Sequence, residues 1–297
     1  TPALITGAFA ERKRFKAFAI FVLAWSTLVY APLAHWVWGG GWLFEYGALD
    51  FAGGTVIHIS SGVAAVVAAL MLGPRIGFGQ RSGDPHDLTM TILGASLLWF
   101  GWFGFNAGSA LSMNAVAVNA LVTTNIAAAF AALSWMAVDW TLWGKPSATG
   151  AATGAVCGLV AITPAAGFVD STAALVMGVL VGMICSFTVV LLDRTGLDDT
   201  LDVFACHGVG GIFGAIATGV FAQTFINPAG ANGLLYGNPK LVLIQLAAVI
   251  ATAVWGFVMS IVLLKVIDWT MGLRVTPEEE ELGLDLSQHG EVAYSTD

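Results

Sequence analysis

Eight apolar runs, separated by loops that hold most of the charge, leave this 297-residue chain few ways to fold. They cover about 16–34, 50–72, 88–108, 115–143, 148–164, 173–193, 203–225 and 241–270. As helices they cross, or for the short fifth run nearly cross, a bilayer core about 30 Å thick. The last run, at about 1.5 Å per residue, is about 45 Å long and is expected to tilt. Composition agrees: 57% of residues are hydrophobic and 10% charged, and mean hydropathy is +0.83. A soluble domain carries about 25% charged residues. A soluble globule is excluded, and the expected class is an all-α polytopic membrane protein.

Glycine and other small residues pervade the runs, as close helix packing in lipid requires. Tryptophans gather at run ends (Trp36, Trp38, Trp42; Trp140, Trp143; Trp269), as in an interfacial belt. Cys157, Cys185 and Cys206 lie in apolar runs without CxxC or zinc spacing and read as small core residues. The net charge of −8 points to no nucleic-acid partner, because seven of the nineteen acids fall in the last twenty-two residues. The opening "TPALITGAFA" reads as the tail of an apolar segment, with no signal-peptide pattern, so a fragment or processed chain is expected.

Basic residues set the orientation. Counting alternate connections, Arg12, Lys13, Arg14, Lys16, Arg75, Arg81, Lys145, Arg194, Lys265 and Arg274 share one face, leaving Lys240 alone on the other. The positive-inside rule makes the first face cytoplasmic and brings the acidic C-terminal tail there too.

Two histidines then acquire a depth. Asp50 opens the second run at the external face, and His58 lies eight residues on, about 12 Å deeper. The seventh run starts at the cytoplasmic face near Asp198, and His207 lies nine residues on, about 13 Å in from the opposite side. Both histidines are followed four residues later by glycine, Gly62 and Gly211. Oppositely directed helices that meet at the midplane are the footprint of an inverted repeat.

Each residue also has a plainer reading. An intramembrane histidine serves as a helix–helix hydrogen-bonding group or marks a pathway. A metal pair is disfavoured, since no carboxylate or cysteine completes a ligand set. Asp50 suits a helix N-cap, which does not exclude function, and Asp202 reads as a helix-start residue only. Trp102 and Phe103 suit belt or packing roles. Phe105 and Ser109, four apart, share a helix face near the external entrance. Trp38 lies in the same layer, and aromatic faces attract cations by about 0.5–2 kcal/mol.

These residues lie in "APLAHWVWGGG", "GALDFAGGTVIHI", "GWFGFNAGSA" and "DVFACHGVGG", and with "AERKRF", "TPAAG" and the tail "GLRVTPEEEELGLDLSQHGEVAY" they resemble the Amt/Mep/Rh ammonium transporter family. The likeness is to its bacterial and archaeal Amt branch and runs over essentially the whole chain. It implies an inverted five-helix repeat plus a long oblique last helix, with about eight of eleven helices present and the first two and most of the third lacking. It further implies a membrane domain over 1–275 and a cytoplasmic regulatory tail over 276–297. A homotrimer in the plasma or inner cell membrane and a role in nitrogen utilisation follow from the same likeness. Partners would be ammonium or ammonia, with methylammonium as analogue, and a PII-type signalling protein at the cytoplasmic face. Residue by residue, Trp38 and Ser109 match an external recruiting site, Phe105 one of two gating phenylalanines, and Asp50 an aspartate that supports binding or deprotonation. His58 and His207 match twin pore histidines, while Tyr30, Trp102 and Thr163 fall beside vestibule, helix start and pore wall.

The physics is consistent with that role. Ammonium and potassium are nearly equal in size, so radius discriminates poorly. An apolar passage charges an ion several kcal/mol (roughly), whereas ammonia passes and hydrogen-bonds to neutral imidazole. Neither an enzyme nor a cofactor is expected, because no nucleophile or ligand constellation is present. The alternative is an ammonium sensor that signals through a cytoplasmic partner.

Overall fold

The computed structural model describes residues 1–79 and 85–294, all helix, turn and loop apart from one isolated bridge between Lys13 and Arg274. Arg81 and Asp297, which the sequence assigns to the cytoplasmic side, lie outside the described residues. A short helical segment, Pro2–Ile5 continuing as Thr6–Phe9, precedes eight main helices. Helix α1 spans 15–38 as Phe15–Trp25, a π-helical Ser26–Tyr30 and Ala31–Trp38. Pro32 explains the π turn: it has no N–H and its ring crowds the carbonyl four residues back. The ladder shifts by one residue, and Ala31 N–H reaches Ser26 O instead.

Helices α2 to α8 are Gly54–Leu72, Leu88–Gly108, Ala115–Trp143, Ala148–Ile162, Ser171–Asp193, Phe204–Phe221 and Lys240–Met271. Seven of the eight are long and apolar enough to span. The fifth is not: α5 has 15 residues, about 22 Å, and a run of turns through Gly167 extends it. Helices α3 to α6 each carry a side-chain N-cap on the residue just before the first turn, which satisfies an otherwise unpaired N–H. Asp87 accepts from Met90, Asn114 from Ala117, Ser147 from Gly150 and Asp170 from Ala173.

Small residues set the packing. Helix α4 takes α5 and α6 against one face, where Gly158 and Gly178 both approach the Ala127 carbonyl. The crossing of α2 and α7 is closer still, with Gly62 against the backbone of Gly208. Helix α8 runs behind α2 and α7 and is tied to α1 by a 3.1 Å hydrogen bond from Trp25 Nε1 to Ser260 Oγ.

Loops expected to share the basic face do meet there. The buried Arg12 guanidinium donates to the Asp198 carbonyl (2.7 Å), the Ala8 carbonyl (2.9 Å) and Thr200 Oγ1 (2.7 Å). The Asp198 carboxylate lies 3.6 Å from Arg12 and 3.4 Å from Arg75. Arg274 pairs with Glu280 at 2.9 Å and donates to the carbonyls of Leu72 and Pro74. Val275 N–H bonds Arg12 O, and Arg14 N–H bonds Leu273 O. The segment before α1, the loops after α2 and α6, and the segment after α8 thus converge, as an even number of crossings between them requires. Beyond them Thr276 and Glu279 form a capping box for the short helix Pro277–Leu282.

Lys13 sits in this region with 4% exposure. Its Nζ lies 4.1 Å and 4.0 Å from the ring centroids of Phe9 and Phe21, and it has no hydrogen-bond partner among the described residues. Burial lowers the Lys13 ammonium to a pKa of about 7. The unfolded chain, near the ordinary value of 10.5, therefore binds more protons between pH 7 and 10.5, and stability rises with pH across that window. Lys13→Met should flatten this rise and raise the melting temperature at pH 7, as read by thermal unfolding in detergent from pH 6 to 10.

Candidate functional site

Both histidines lie in π-helical turns that open their helices, His58 in Gly54–Ile59 and His207 in Phe204–Val209. Their rings stack at 18° with centroids 5.2 Å apart, and Nδ1 faces Nδ1 at 3.1 Å. Both are buried. One proton shared between the two Nδ1 atoms forces opposite tautomers. The ring that donates from Nδ1 then presents an Nε2 lone pair, and its partner an Nε2–H. The pair thus offers one acceptor and one donor to a small neutral molecule. Among the described residues no third His, Cys, Asp or Glu joins them.

Apolar and aromatic side chains wall the pair. Trp102 stacks on His58 at 5.3 Å and 14°, and Phe105 lies 6.2 Å from the His58 ring. Trp102 is fixed from behind, because its Nε1 donates to Thr163 Oγ1 at 2.9 Å. A groove of about 510 Å³ runs past His58, Trp102 and Phe105 between Leu97, Leu98 and the N-terminal segment. Ser109 closes α3, and its hydroxyl donates to the Phe105 carbonyl at 2.9 Å. Tyr30 ends the π turn of α1.

Asp50 does cap α2, with its full bonding capacity engaged. Its carboxylate accepts from the N–H groups of Gly53 (2.7 Å), Gly54 (2.7 Å), Thr55 (2.8 Å) and Val56 (3.3 Å), and from the Thr55 hydroxyl. A carboxylate has roughly four lone-pair sites, so none is left for an incoming proton. Trp38 is attached to the same residue: its Nε1 donates to the Asp50 carbonyl at 2.8 Å.

Asp202 stands at the start of α7, with φ 55° and its carbonyl accepting from Cys206 N–H at 3.0 Å. The side-chain cap comes from Asp199, whose carboxylate accepts from Phe204 N–H at 2.6 Å. The spacing Asp199–His207 equals Asp50–His58, eight residues, and that repeat was the signal available for it. Burial, reinforced by the Asp199 charge, raises the Asp202 carboxyl to a pKa of about 7. The three cysteines meet in one apolar cluster on α5, α6 and α7 with Ala131, Trp135 and Ala161.

A polytopic helical membrane protein whose two oppositely directed helices bring buried histidines into contact fits the transporter and channel class. The family follows: the Ammonium Transporter Family model matches residues 1–294, and the chain belongs to that family. It is 52% identical to an ammonium transporter of Bacillus subtilis over 295 residues, 99% of this chain and 72% of that protein. Among solved structures it superposes on Candida albicans Mep2 with TM-score 0.88 and 40% identity, covering 94% of this chain and 64% of that one. It also superposes on a "Sensor Amt Protein" with TM-score 0.89 and 32% identity, covering 97% and 73%. The chain thus spans about two thirds of the Mep2 length.

Proposed function

We propose that this protein moves ammonium nitrogen across the plasma membrane as ammonia, with the basic face and tail in the cytoplasm. An ammonium ion is recruited externally by the face of Trp38, the Ser109 hydroxyl and the charge of Asp50. It gives its proton to water on the external side of the histidine pair, near Phe105, and crosses as ammonia past His58 and His207. The contact of those two imidazoles inside an apolar wall carries the reading. The passage presents a lone pair and an N–H to ammonia while withholding the ligands that would solvate an ion. Ammonium can lose a proton to enter such a passage, and potassium cannot.

Labelled methylammonium uptake by cells expressing the intact transporter tests this reading. Saturable uptake is expected, and none above an empty-vector control would overturn it. Trp38→Leu removes a cation–π contact of about 0.5–2 kcal/mol. It should therefore raise the half-saturating concentration about 2- to 30-fold.

The tail over 276–297 is proposed as a regulatory element distinct from the membrane domain over 1–275, within a homotrimer whose cytoplasmic face receives a PII-type protein. The Arg274–Glu280 pair supports this, as does the bond that Ile76 N–H donates to Glu280 Oε1, which joins the tail to the loop after α2. Deleting 276–297 should leave membrane insertion intact and change the response of transport to nitrogen supply. The likeness to a structure titled a sensor supports a second reading, in which the same site signals occupancy to a partner. Uptake measured with purified protein in liposomes separates the two, because a sensor without transport gives no flux.

A further inference from the structure

We propose that Gln245 is a positioning residue for the external cation site, holding Asp50 and Trp38 in place from helix α8; this rests on the transport reading above. Gln245 is fully buried on the mostly apolar α8. Its amide reads both polar groups of one residue: Oε1 accepts from Leu49 N–H at 2.8 Å, and Nε2 donates to Leu49 O at 2.8 Å. The second Nε2 hydrogen goes to the Ala215 carbonyl on α7 at 3.0 Å. Three of the four bonds a glutamine amide can form are thus committed.

Leu49 is the residue before Asp50, and the two-point grip fixes both the position and the rotation of its backbone. Downstream, the Asp50 carboxylate is locked onto the start of α2, so the backbone there is held from both sides. Trp38 has its indole N–H on the Asp50 carbonyl and inherits that placement. The chain of contacts runs Ala215, Gln245, Leu49, Asp50, Trp38, from the helix of His207 to the aromatic face at the entrance. Close approach of α7 to α8 makes this possible, since a Cβ on Gly219 would fall 2.9 Å from Val242 Cα and 3.1 Å from Gln245 Cγ. Helix α8 therefore ties the entrance on one half of the inverted repeat to the pore helix of the other.

Gln245 touches no substrate, so its loss should act on recruitment rather than on passage. Gln245→Met keeps length and removes the three bonds, and Gln245→Glu is the second variant, keeping an acceptor for Leu49 N–H and losing the amide donors. Methylammonium uptake is measured for wild type, each variant, Trp38→Leu and the Trp38→Leu/Gln245→Met pair, normalised to folded protein. The half-saturating concentration should rise about tenfold in Gln245→Met, with the maximal rate within about twofold of wild type. In the Trp38→Leu background the same change should cost less than it does alone, because only the placement of Asp50 is then left to lose. A normal half-saturating concentration in whichever variant folds, or effects that multiply in the pair, would overturn the proposal. Hydrogen exchange at the Leu49 amide supplies a reading independent of transport: it should accelerate in Gln245→Met, and unchanged protection would refute the grip. Failure of wild type to take up methylammonium would count against the transport reading alone.

Discussion

Asp50→Asn should leave the protein folded in the membrane and abolish methylammonium uptake, while Asp50→Ala should lose uptake and stability together. The two roles of the residue separate on chemical grounds. Asparagine and aspartate cap helices about equally well, whereas alanine at an N-cap costs about 0.5–2 kcal/mol. At Asp50 the cost should sit at the upper end, about 2 kcal/mol, because four backbone N–H groups and a hydroxyl lose their acceptor in a buried place. The amide oxygen of asparagine can still accept from Gly53 and Gly54, but its NH2 cannot accept from Thr55 and Val56, and the negative charge is gone. A cation entering an apolar mouth then has no countercharge, and the aromatic attraction of Trp38 alone is too weak to hold it. Uptake below about one hundredth of wild type, with a melting temperature for the asparagine variant between those of wild type and Asp50→Ala, is the expected pattern. Full uptake by Asp50→Asn would reduce the residue to a helix cap.

Gly62→Ala should be nearly as damaging, through geometry rather than charge. A Cβ at Gly62 meets the amide nitrogen and Cα of Gly208 at distances no real Cβ adopts. Those atoms belong to a helix backbone and cannot rotate aside, so α2 and α7 must separate. Overpacking of this kind costs about 1–3 kcal/mol. The functional loss should exceed the stability loss, because Gly62 lies one turn from His58 and its neighbour Gly208 adjoins His207. A separation of even about 1 Å takes the 3.1 Å contact between the two Nδ1 atoms out of hydrogen-bonding range. The check is paired: a melting temperature lowered by a few degrees (about 2–4 °C per kcal/mol), and uptake reduced at least tenfold per folded protein (roughly, by the loss of one buried hydrogen bond). Wild-type uptake in this variant would show that the histidine contact is dispensable.

Much of the architecture was open to sequence reading, because lipid simplifies the problem. Run lengths and the alternation of basic loops gave the spans, and residue counting from each end put His58 and His207 at one depth. That count is insensitive to helix type, since a π turn changes rise by little over one turn, yet the π turns themselves left no residue-level signal. Only Pro32, with its missing N–H, announced the one in α1. At the start of α7 the side-chain cap is Asp199, which composition does not separate from Asp198 and Asp202. Its eight-residue spacing to His207 equals that of Asp50 to His58 and is the one signal the sequence holds for it. Gln245 shares its run with Thr252 and Ser260 and nothing in the sequence separates it from them; its target, a backbone 196 positions earlier, is a property of the fold alone.

The claim at the centre of this account is that selection is made by proton loss and not by size. Potassium is the direct test, being close to ammonium in radius and unable to shed a proton. The intact transporter, reconstituted in liposomes, is given inward gradients of ammonium, methylammonium and potassium in turn, and flux is followed for each. Saturable flux is expected with ammonium and methylammonium, and none above protein-free vesicles with potassium even at about a hundredfold excess, the discrimination that follows from an ion penalty of several kcal/mol (roughly). Potassium flux through the protein would contradict it, because an ion that keeps its charge would then have crossed the passage between His58 and His207.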